Sequence, residues 1–153
     1  MDLIDGVHVK ELKVIPDERG FLQEILRNDD PIFKGFGQVY MTTTYPGVVK
    51  GWHYHDEQTD NVVCIKGMIK LVLFDNRTGS KTRGQINQFF IGEQSPRLVQ
   101  VPKGIHHGWK GVSTDTAYIV NITDKVYDYK KPDEHRMDPH TKDIPYDWSR
   151  KDG

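Results

Sequence analysis

The chain has little of what marks several large protein classes. Its single cysteine, Cys64, lies in the apolar run 62–65, so an intrachain disulfide framework is excluded and a buried, unreactive thiol is expected. The 21 basic and 22 acidic side chains give a formal net charge of -1. No basic excess remains to neutralise a phosphate backbone, which argues against nucleic acid as a partner.

Long hydrophobic runs are also absent. No stretch approaches the roughly 20 apolar residues that a membrane helix needs, and the first residues lack the basic and apolar regions of a secretory signal. We therefore expect a cytoplasmic protein without a membrane partner. A length of 153 residues suits a single domain, 1–153, with a sizeable core.

An extended helical period is missing as well. The apolar patterns are short, rich in β-branched and aromatic residues, and interrupted by Gly, Pro, Asn and Asp, which is typical of β-strands joined by turns. Residues 68–74 are almost continuously apolar and should lie centrally in a sheet. We predict an all-β sandwich or barrel with extended segments at 7–15, 21–26, 38–44, 62–65, 68–74, 88–91, 98–101, 107–112 and 117–123.

The C-terminal segment differs in composition. Residues 127–153 contain three prolines, many charges and few aliphatic side chains, which taken alone is typical of a disordered tail. The segment also contains Tyr127, Tyr129, Tyr146 and Trp148, aromatic side chains that a solvated tail has little use for. We expect an extended tail packed on the barrel or on a partner subunit.

Two glycine-bounded segments contain the histidines that could form a site. Residues 47–55 read as a strand in which His53 and His55 point to the same side, because side chains two apart share a face of a strand. Lys50 lies close by. Residues 102–109 carry His106 and His107, of which alternation lets only one face inward.

These residue types suit proton transfer on an anionic substrate. Imidazole titrates near neutral pH, and Lys or Arg can hold a phosphate or stabilise an oxyanion. Arg19 and Glu24, on the N-terminal strand pair, could join the same pocket. A pocket of this composition would suit removal of a proton beside a carbonyl.

A metal site is the competing interpretation. A His-x-His pair on a strand together with a distant His can form a facial ligand set, here His53, His55 and His107. Glu57 or Asp60 would have to supply a fourth, carboxylate ligand. This arrangement resembles the metal-binding cupins, whose motifs are His-x-His followed by Glu, and Pro-x-Gly-x-x-His.

An ordered series of motifs resembles a known family, the dTDP-4-dehydrorhamnose 3,5-epimerases. Residues 17–24 are similar to its Asp-x-Arg-Gly-x-x-x-Glu, residues 50–53 to its Arg-Gly-Leu-His, and residues 102–109 to its Pro-x-Gly-x-x-His-Gly-Phe. The resemblance covers roughly 5–148. It implies a double-stranded β-helix (a cupin-type jelly roll), no cofactor or metal, and a homodimer whose N-terminal strand crosses to the partner.

The resemblance also implies roles for individual residues on a small-molecule nucleotide sugar. His53 matches the general base that removes protons beside the ketone of a 4-keto-6-deoxyhexose nucleotide, and Lys50 stands where the family has an arginine. The expected substrate-binding residues are Arg19, Glu24, Gln38, Lys50, His55, His107, Asn121 and Glu134.

Three departures from the family pattern stand out. The lysine expected a few residues after the base is absent from residues 58–61. Asn121 occupies the position of the proton-donor tyrosine, and Tyr40 occupies a position where asparagine is expected. Tyr127 or Tyr129 could supply the missing donor.

Three functions follow from these observations. The first is a nucleotide-sugar epimerase in cell-surface polysaccharide synthesis, a pathway that only the resemblance implies. The second is a metal-dependent cupin with His53, His55 and His107 as ligands. The third is a cupin that binds a sugar nucleotide without catalysis.

Overall fold

The structure is a computed structural model and describes residues 2–153. Within these residues it contains twelve β-strands and no helix, and therefore no helix that is long and apolar enough to cross a membrane. The strands are β1 (His8–Glu11), β2 (Val14–Asp17), β3 (Gly20–Gln23), β4 (Gln38–Thr44), β5 (Val49–Tyr54), β6 (Asp60–Lys66), β7 (Met68–Asp75), β8 (Ile86–Gly92), β9 (Arg97–Val101), β10 (Ile105–Gly111), β11 (Ala117–Thr123) and β12 (His135–Arg136).

Ten of these strands form two antiparallel five-stranded sheets. The first sheet has the order β1-β9-β6-β11-β4, and the second has the order β12-β5-β10-β7-β8. Strands β2 and β3 form a separate hairpin. This all-β architecture is a double-stranded β-helix of the cupin type, which confirms the predicted fold class.

Strand β7 shows why a nearly continuous apolar run is stable in this fold. Ile69, Leu71 and Leu73 belong to the main core cluster between the sheets, whereas Val72 and Phe74 belong to a second cluster on the other face. Both faces of the strand are therefore buried, and alternation of apolar and polar residues is not required.

The C-terminal segment provides the cover for that second face. Ile144 and Trp148 are buried against Trp52 and the outer side of β7. The indole nitrogens of Trp52 and Trp148 donate hydrogen bonds of 3.2 and 3.0 Å to the Pro139 carbonyl. Tyr146 and Trp148 thus help to complete a core that the two sheets leave open, whereas Tyr127 and Tyr129 are 36% and 89% exposed.

The N-terminal region differs from the single extended segment predicted at 7–15. The extended run is divided into β1 and β2 because Leu12 turns into the core: its side chain is buried in a third cluster, and its N–H donates to the Pro96 carbonyl at 2.9 Å. The β2–β3 hairpin that follows leaves Phe21 and Leu22 largely exposed, at 68% and 58%.

Candidate functional site

The two histidine-bearing segments form neighbouring strands in the second sheet. His53 on β5 is directly opposite His107 on β10, and a bulge separates this pair from the pairing of Lys50 with Trp109. The rings of His53 and His107 have centroids 4.0 Å apart. Strand alternation lets only one of His106 and His107 face the site, and in the structure it is His107.

Two glycines allow β5 and β10 to approach this closely. A Cβ atom on Gly51 would lie 2.8 Å from the Cα of Gly108, and a Cβ on Gly108 would lie 2.9 Å from the Cα of Gly51. Any side chain at either position would force the strands apart. The glycines that bound the histidine motifs therefore set the spacing between His53 and His107.

A buried carboxylate completes the group. Asp60, the first residue of β6, places its Oδ2 atom 3.0 Å from Nε2 of His107 and 3.2 Å from Nε2 of His55. Its other oxygen accepts a hydrogen bond of 2.7 Å from Nε2 of Gln58. We call His53, His55, Asp60 and His107 the histidine–aspartate cluster; one potential ligand atom from each lies within 4.8 Å of the others.

Backbone carbonyl groups fix the orientation of the His55 and His107 rings. Nδ1 of His107 lies 2.9 Å from the Ile105 carbonyl oxygen, and Nδ1 of His55 lies 2.5 Å from the Asp133 carbonyl oxygen. A carbonyl oxygen only accepts hydrogen bonds, so Nδ1 is the protonated donor in each ring. Nε2 of each ring is thereby directed at Asp60.

Burial and charge shift the pKa values of the cluster in different directions. Burial alone would lower the pKa of His55, but the adjacent Asp60 outweighs it and raises that pKa to about 9. Burial opposes ionisation of Asp60 too, yet His107 and His55 hold its pKa well below the usual range. The pKa of His53 is lowered well below its usual value, first by burial and then by His107, so its ring is neutral at pH 7.

A cavity of about 530 Å³ opens beside His53; it is smaller than the adjoining cavity of about 630 Å³, and we call it the main cavity because His53 lines it. Lys50 lines it and is anchored by hydrogen bonds from Nζ to the Thr42 hydroxyl at 2.9 Å and the Thr43 carbonyl at 2.6 Å. Trp109 packs edge-on against the His53 ring, with centroids 5.6 Å apart. The wall thus offers a neutral imidazole, an ammonium group and an aromatic ring.

The phenol of Tyr40 is a site feature that the sequence left unassigned. Tyr40 on β4 lies opposite Asn121 on β11, and the Asn121 amide donates to its hydroxyl at 2.9 Å. Tyr40 lines the main cavity, whereas Asn121 is 3% exposed and is not part of the cavity wall. The structure thus places Asn121 behind Tyr40, so its predicted contact with substrate stays a prediction. Burial, followed by the charge of Asp60, raises the pKa of Tyr40 to about 12.

The C-terminal segment contributes a cation that sequence reasoning missed. Arg136 on β12 pairs with His53 and lines the main cavity together with Glu134, whose carboxylate accepts from Arg136 at 2.8 Å. Only a strand of two residues positions it, and no local sequence pattern indicates such a short pairing. Gln38 and His55 line an adjoining cavity of about 630 Å³.

Two predicted site residues lie elsewhere in the chain's own fold. Arg19 is on the β2–β3 turn, where its side chain is 85% exposed and pairs with Asp17 at 2.6 Å. Glu24 follows β3 and pairs with Arg27 at 2.9 Å. Neither lines the cavities beside the cluster, so their role in nucleotide binding stays a prediction that requires a second subunit.

The structure brings together the residues that a metal site would require. His53, His55 and His107 converge as that interpretation required, and the carboxylate near them is Asp60. Glu57, the other candidate, is exposed and lies 3.9 Å from Lys103. The cluster could therefore hold a metal as well as transfer a proton.

Comparison with known proteins identifies the family. Residues 2–153 match the family described as dTDP-4-dehydrorhamnose 3,5-epimerase. The chain is 37% identical over 147 residues to the spore coat polysaccharide biosynthesis protein SpsL of Bacillus subtilis, covering 96% of this chain and 97% of SpsL.

Solved structures agree with that assignment. A dTDP sugar isomerase from Desulfovibrio desulfuricans G20 superposes with a TM-score of 0.91 at 30% identity, covering 97% of this chain and 94% of the other. The epimerase RmlC of Legionella pneumophila, solved with dTDP-4-keto-L-rhamnose, superposes with a TM-score of 0.84 at 26% identity, covering 96% and 80%. The chain belongs to the dTDP-4-dehydrorhamnose 3,5-epimerase family of isomerases.

Proposed function

We propose that this protein epimerises a nucleotide-linked 4-keto-6-deoxyhexose, with His53 removing the proton beside the ketone. The observation that carries the proposal is the placement of a neutral His53 on the wall of the main cavity, opposite a phenol from the other sheet. A neutral imidazole can accept a proton, and the ketone stabilises the carbanion as an enolate.

Inverting a carbon centre also requires an acid on the opposite face. His53 lies on the second sheet and Tyr40 on the first, and both line the same cavity. With a pKa of about 12, the phenol keeps its proton at neutral pH and can return it to the enolate carbon. Tyr40 can therefore act as the proton donor, a role that the family gives to a tyrosine at the position occupied here by Asn121.

The cations of the cavity suit an anionic substrate. The anchored ammonium of Lys50 can stabilise the developing enolate oxygen, and Arg136 can bind the diphosphate. A dTDP-linked keto sugar is the ligand of the related Legionella epimerase. The SpsL relative is named for polysaccharide biosynthesis, which supports a role in making a cell-surface polysaccharide.

We also propose a homodimer, because the exposed hairpin has the composition of an interface. Phe21 and Leu22 on the hairpin, and Val39 and Met41 on the edge strand β4, are more than half exposed. Large exposed apolar groups of this kind mark interaction surfaces. A partner's hairpin would bring the Arg19 and Glu24 side chains to a cavity that their own chain does not reach.

Solvent exchange tests the base directly. In D₂O with dTDP-4-keto-6-deoxyglucose, the wild type should incorporate deuterium beside the ketone, detected by NMR or mass spectrometry. The variant His53→Ala should be slower by about 10²–10⁴-fold, whereas His106→Gln, a change outside the main cavity, should leave the rate unchanged. If His53→Ala exchanges as fast as the wild type, the base assignment is wrong.

The same assay addresses the other two functions. A metal-dependent cupin with His53 as a ligand is favoured by the convergence of the cluster, and it predicts that His53→Ala loses metal together with activity. A binding protein without catalysis predicts no exchange by the wild type. Neither outcome agrees with His53 acting as a free base.

A further inference from the structure

We propose that His55, Asp60 and His107 form a binding site for one divalent transition-metal ion, directly behind His53. The family resemblance implies chemistry without a metal, so this site is a property of the present chain. The existence of the site is independent of the proposed function, whereas its effect on the reaction rests on that function.

The first observation is that three of the five buried side-chain atoms without a hydrogen-bond partner in the described residues belong to this cluster. Nε2 of His55, Oδ2 of Asp60 and Nε2 of His107 are shielded from solvent, and none makes an aligned hydrogen bond within the described residues. The N···O distances of 3.0 and 3.2 Å are short, yet no hydrogen bond within the described residues joins these atoms. Two imidazole nitrogens and one carboxylate oxygen therefore lie close together in a buried place without satisfying one another.

The second observation is the fixed state of the two rings. Nδ1 of each ring donates to a backbone carbonyl, of Asp133 behind His55 and of Ile105 behind His107. Metal-binding histidines show this arrangement, in which the outer N–H is tied down and the other nitrogen presents its lone pair. The backbone therefore fixes the ring orientation in which Nε2 of His55 and of His107 can bind a metal. At pH 7 the metal would displace the proton that a pKa of about 9 keeps on His55.

The third observation is the separation between the ligand atoms. Ligands bound at about 2.1 Å in tetrahedral or octahedral geometry are separated by roughly 3.0–3.4 Å. The two measured separations from Oδ2 of Asp60, 3.0 and 3.2 Å, fall in that range. Two imidazoles and one carboxylate favour Zn²⁺, Fe²⁺, Co²⁺ or Mn²⁺ over Ca²⁺ and Mg²⁺, which prefer all-oxygen sites.

The other occupant that could balance the buried Asp60 is a proton shared with His55. That arrangement predicts an N–H bond aimed at Oδ2, because a charge-assisted hydrogen bond is short and well aligned. No hydrogen bond within the described residues joins the two atoms, although the distance between them is short. A metal ion bound by the three atoms accounts for short distances between atoms that are not hydrogen-bonded to one another.

His53 differs from the other three members of the cluster. It alone lines the main cavity, and its ring nitrogens are not among the shielded, unpartnered atoms. We therefore assign three ligands to the ion and leave His53 to the substrate. An ion behind His53 would place positive charge on the base's side of the cavity, which would stabilise the enolate that the proposed function requires.

Cobalt binding tests the site without substrate. The full chain is stripped with a chelator and titrated with Co²⁺, following the visible absorption bands and the bound metal by mass spectrometry. We expect one Co²⁺ per chain and a loss of affinity greater than about 100-fold in His55→Ala and Asp60→Asn. His106→Gln, a buried histidine next to His107 but outside the cluster, should bind as the wild type does.

The variant His53→Gln tests whether His53 is a ligand of the metal ion. Retention of affinity within a few-fold supports a three-ligand site, whereas a loss equal to that of His55→Ala overturns it and makes His53 a ligand. Absence of Co²⁺ binding by the wild type, or unchanged binding by Asp60→Asn, also overturns the proposal. Circular dichroism and Tm of each stripped variant exclude misfolding, and a metal-dependent rise in the wild-type Tm provides a second readout.

Deuterium exchange separates this inference from the proposed function. If the wild type binds Co²⁺ but exchanges no deuterium with or without metal, the site stands and the epimerase assignment fails. If the wild type exchanges deuterium but binds no Co²⁺, the metal site fails and the epimerase assignment stands.

Discussion

The histidine–aspartate cluster and the β2–β3 hairpin both contain residues that the sequence nominated for function, yet they are built on opposite principles. In the cluster, Asp60 and His107 are 1% exposed and lie 3.0 Å apart. On the hairpin, Arg19 and Asp17 are closer, at 2.6 Å, but their side chains are 85% and 48% exposed. Distance alone therefore does not separate the two pairs, whereas burial does.

The difference matters because solvent weakens an exposed ion pair. A buried charge that loses its partner is strongly destabilising, while an exposed pair contributes little. The cluster consequently has one geometry determined by its surroundings, and the hairpin pair can rearrange when another surface covers it. Three substitutions test this contrast.

The largest effect is expected from removing the buried carboxylate. Asp60→Ala should lower the free energy of unfolding by about 3–5 kcal/mol, because it removes the buried partner of His55, which a pKa of about 9 keeps charged at pH 7. The hairpin variant Asp17→Ala should show no resolvable change. Urea denaturation at pH 7 measures both, and equal effects in the two variants would show that burial does not distinguish the regions.

A smaller loss of stability is expected from changing Gly108, which lets strands β5 and β10 approach closely. Gly108→Ala places a Cβ atom 2.9 Å from the Cα of Gly51, which should cost about 1–3 kcal/mol and slow deuterium exchange by displacing His53. Thr114→Ala, at an exposed position in the loop after β10, serves as the surface control. Wild-type exchange in a folded Gly108→Ala protein would contradict the role given to this close approach.

The smallest effect on chain stability is expected on the hairpin. Phe21→Ser should leave the unfolding free energy of the monomer nearly unchanged, because the side chain is 68% exposed, but it should weaken the proposed dimer. Light scattering across a range of concentrations measures the oligomeric state. A wild type that stays monomeric at all concentrations would remove the basis for a shared site.

Several parts of this molecule could be predicted because the relevant pattern is local. The apolar run of β7 indicated a strand placed centrally in a sheet, and the His-x-His spacing indicated that His53 and His55 share a side. The glycines marked the bounds of the two histidine segments, but only the structure showed that Gly51 and Gly108 approach each other. Ordered motifs from Arg19 to Trp109 were specific enough to indicate the family.

Other parts could not be predicted because they depend on pairing between distant segments. Tyr40 meets Asn121 across the β4–β11 register, and Arg136 meets His53 through a two-residue strand. Asp60 was one of two candidate carboxylates, and only the start of β6 beside β9 and β11 brought it to His55 and His107. In each case the sequence showed which residue was present but not which other residues it would contact.

The sequence by itself determined most of the strands, the family and the identity of the chemical groups, since periodicity and short motifs act over a few residues. Only the tertiary structure decided which groups meet. Burial between two sheets then converted Asp60 from an ordinary acidic residue into the centre of the cluster, because a carboxylate removed from water must be balanced by the groups around it.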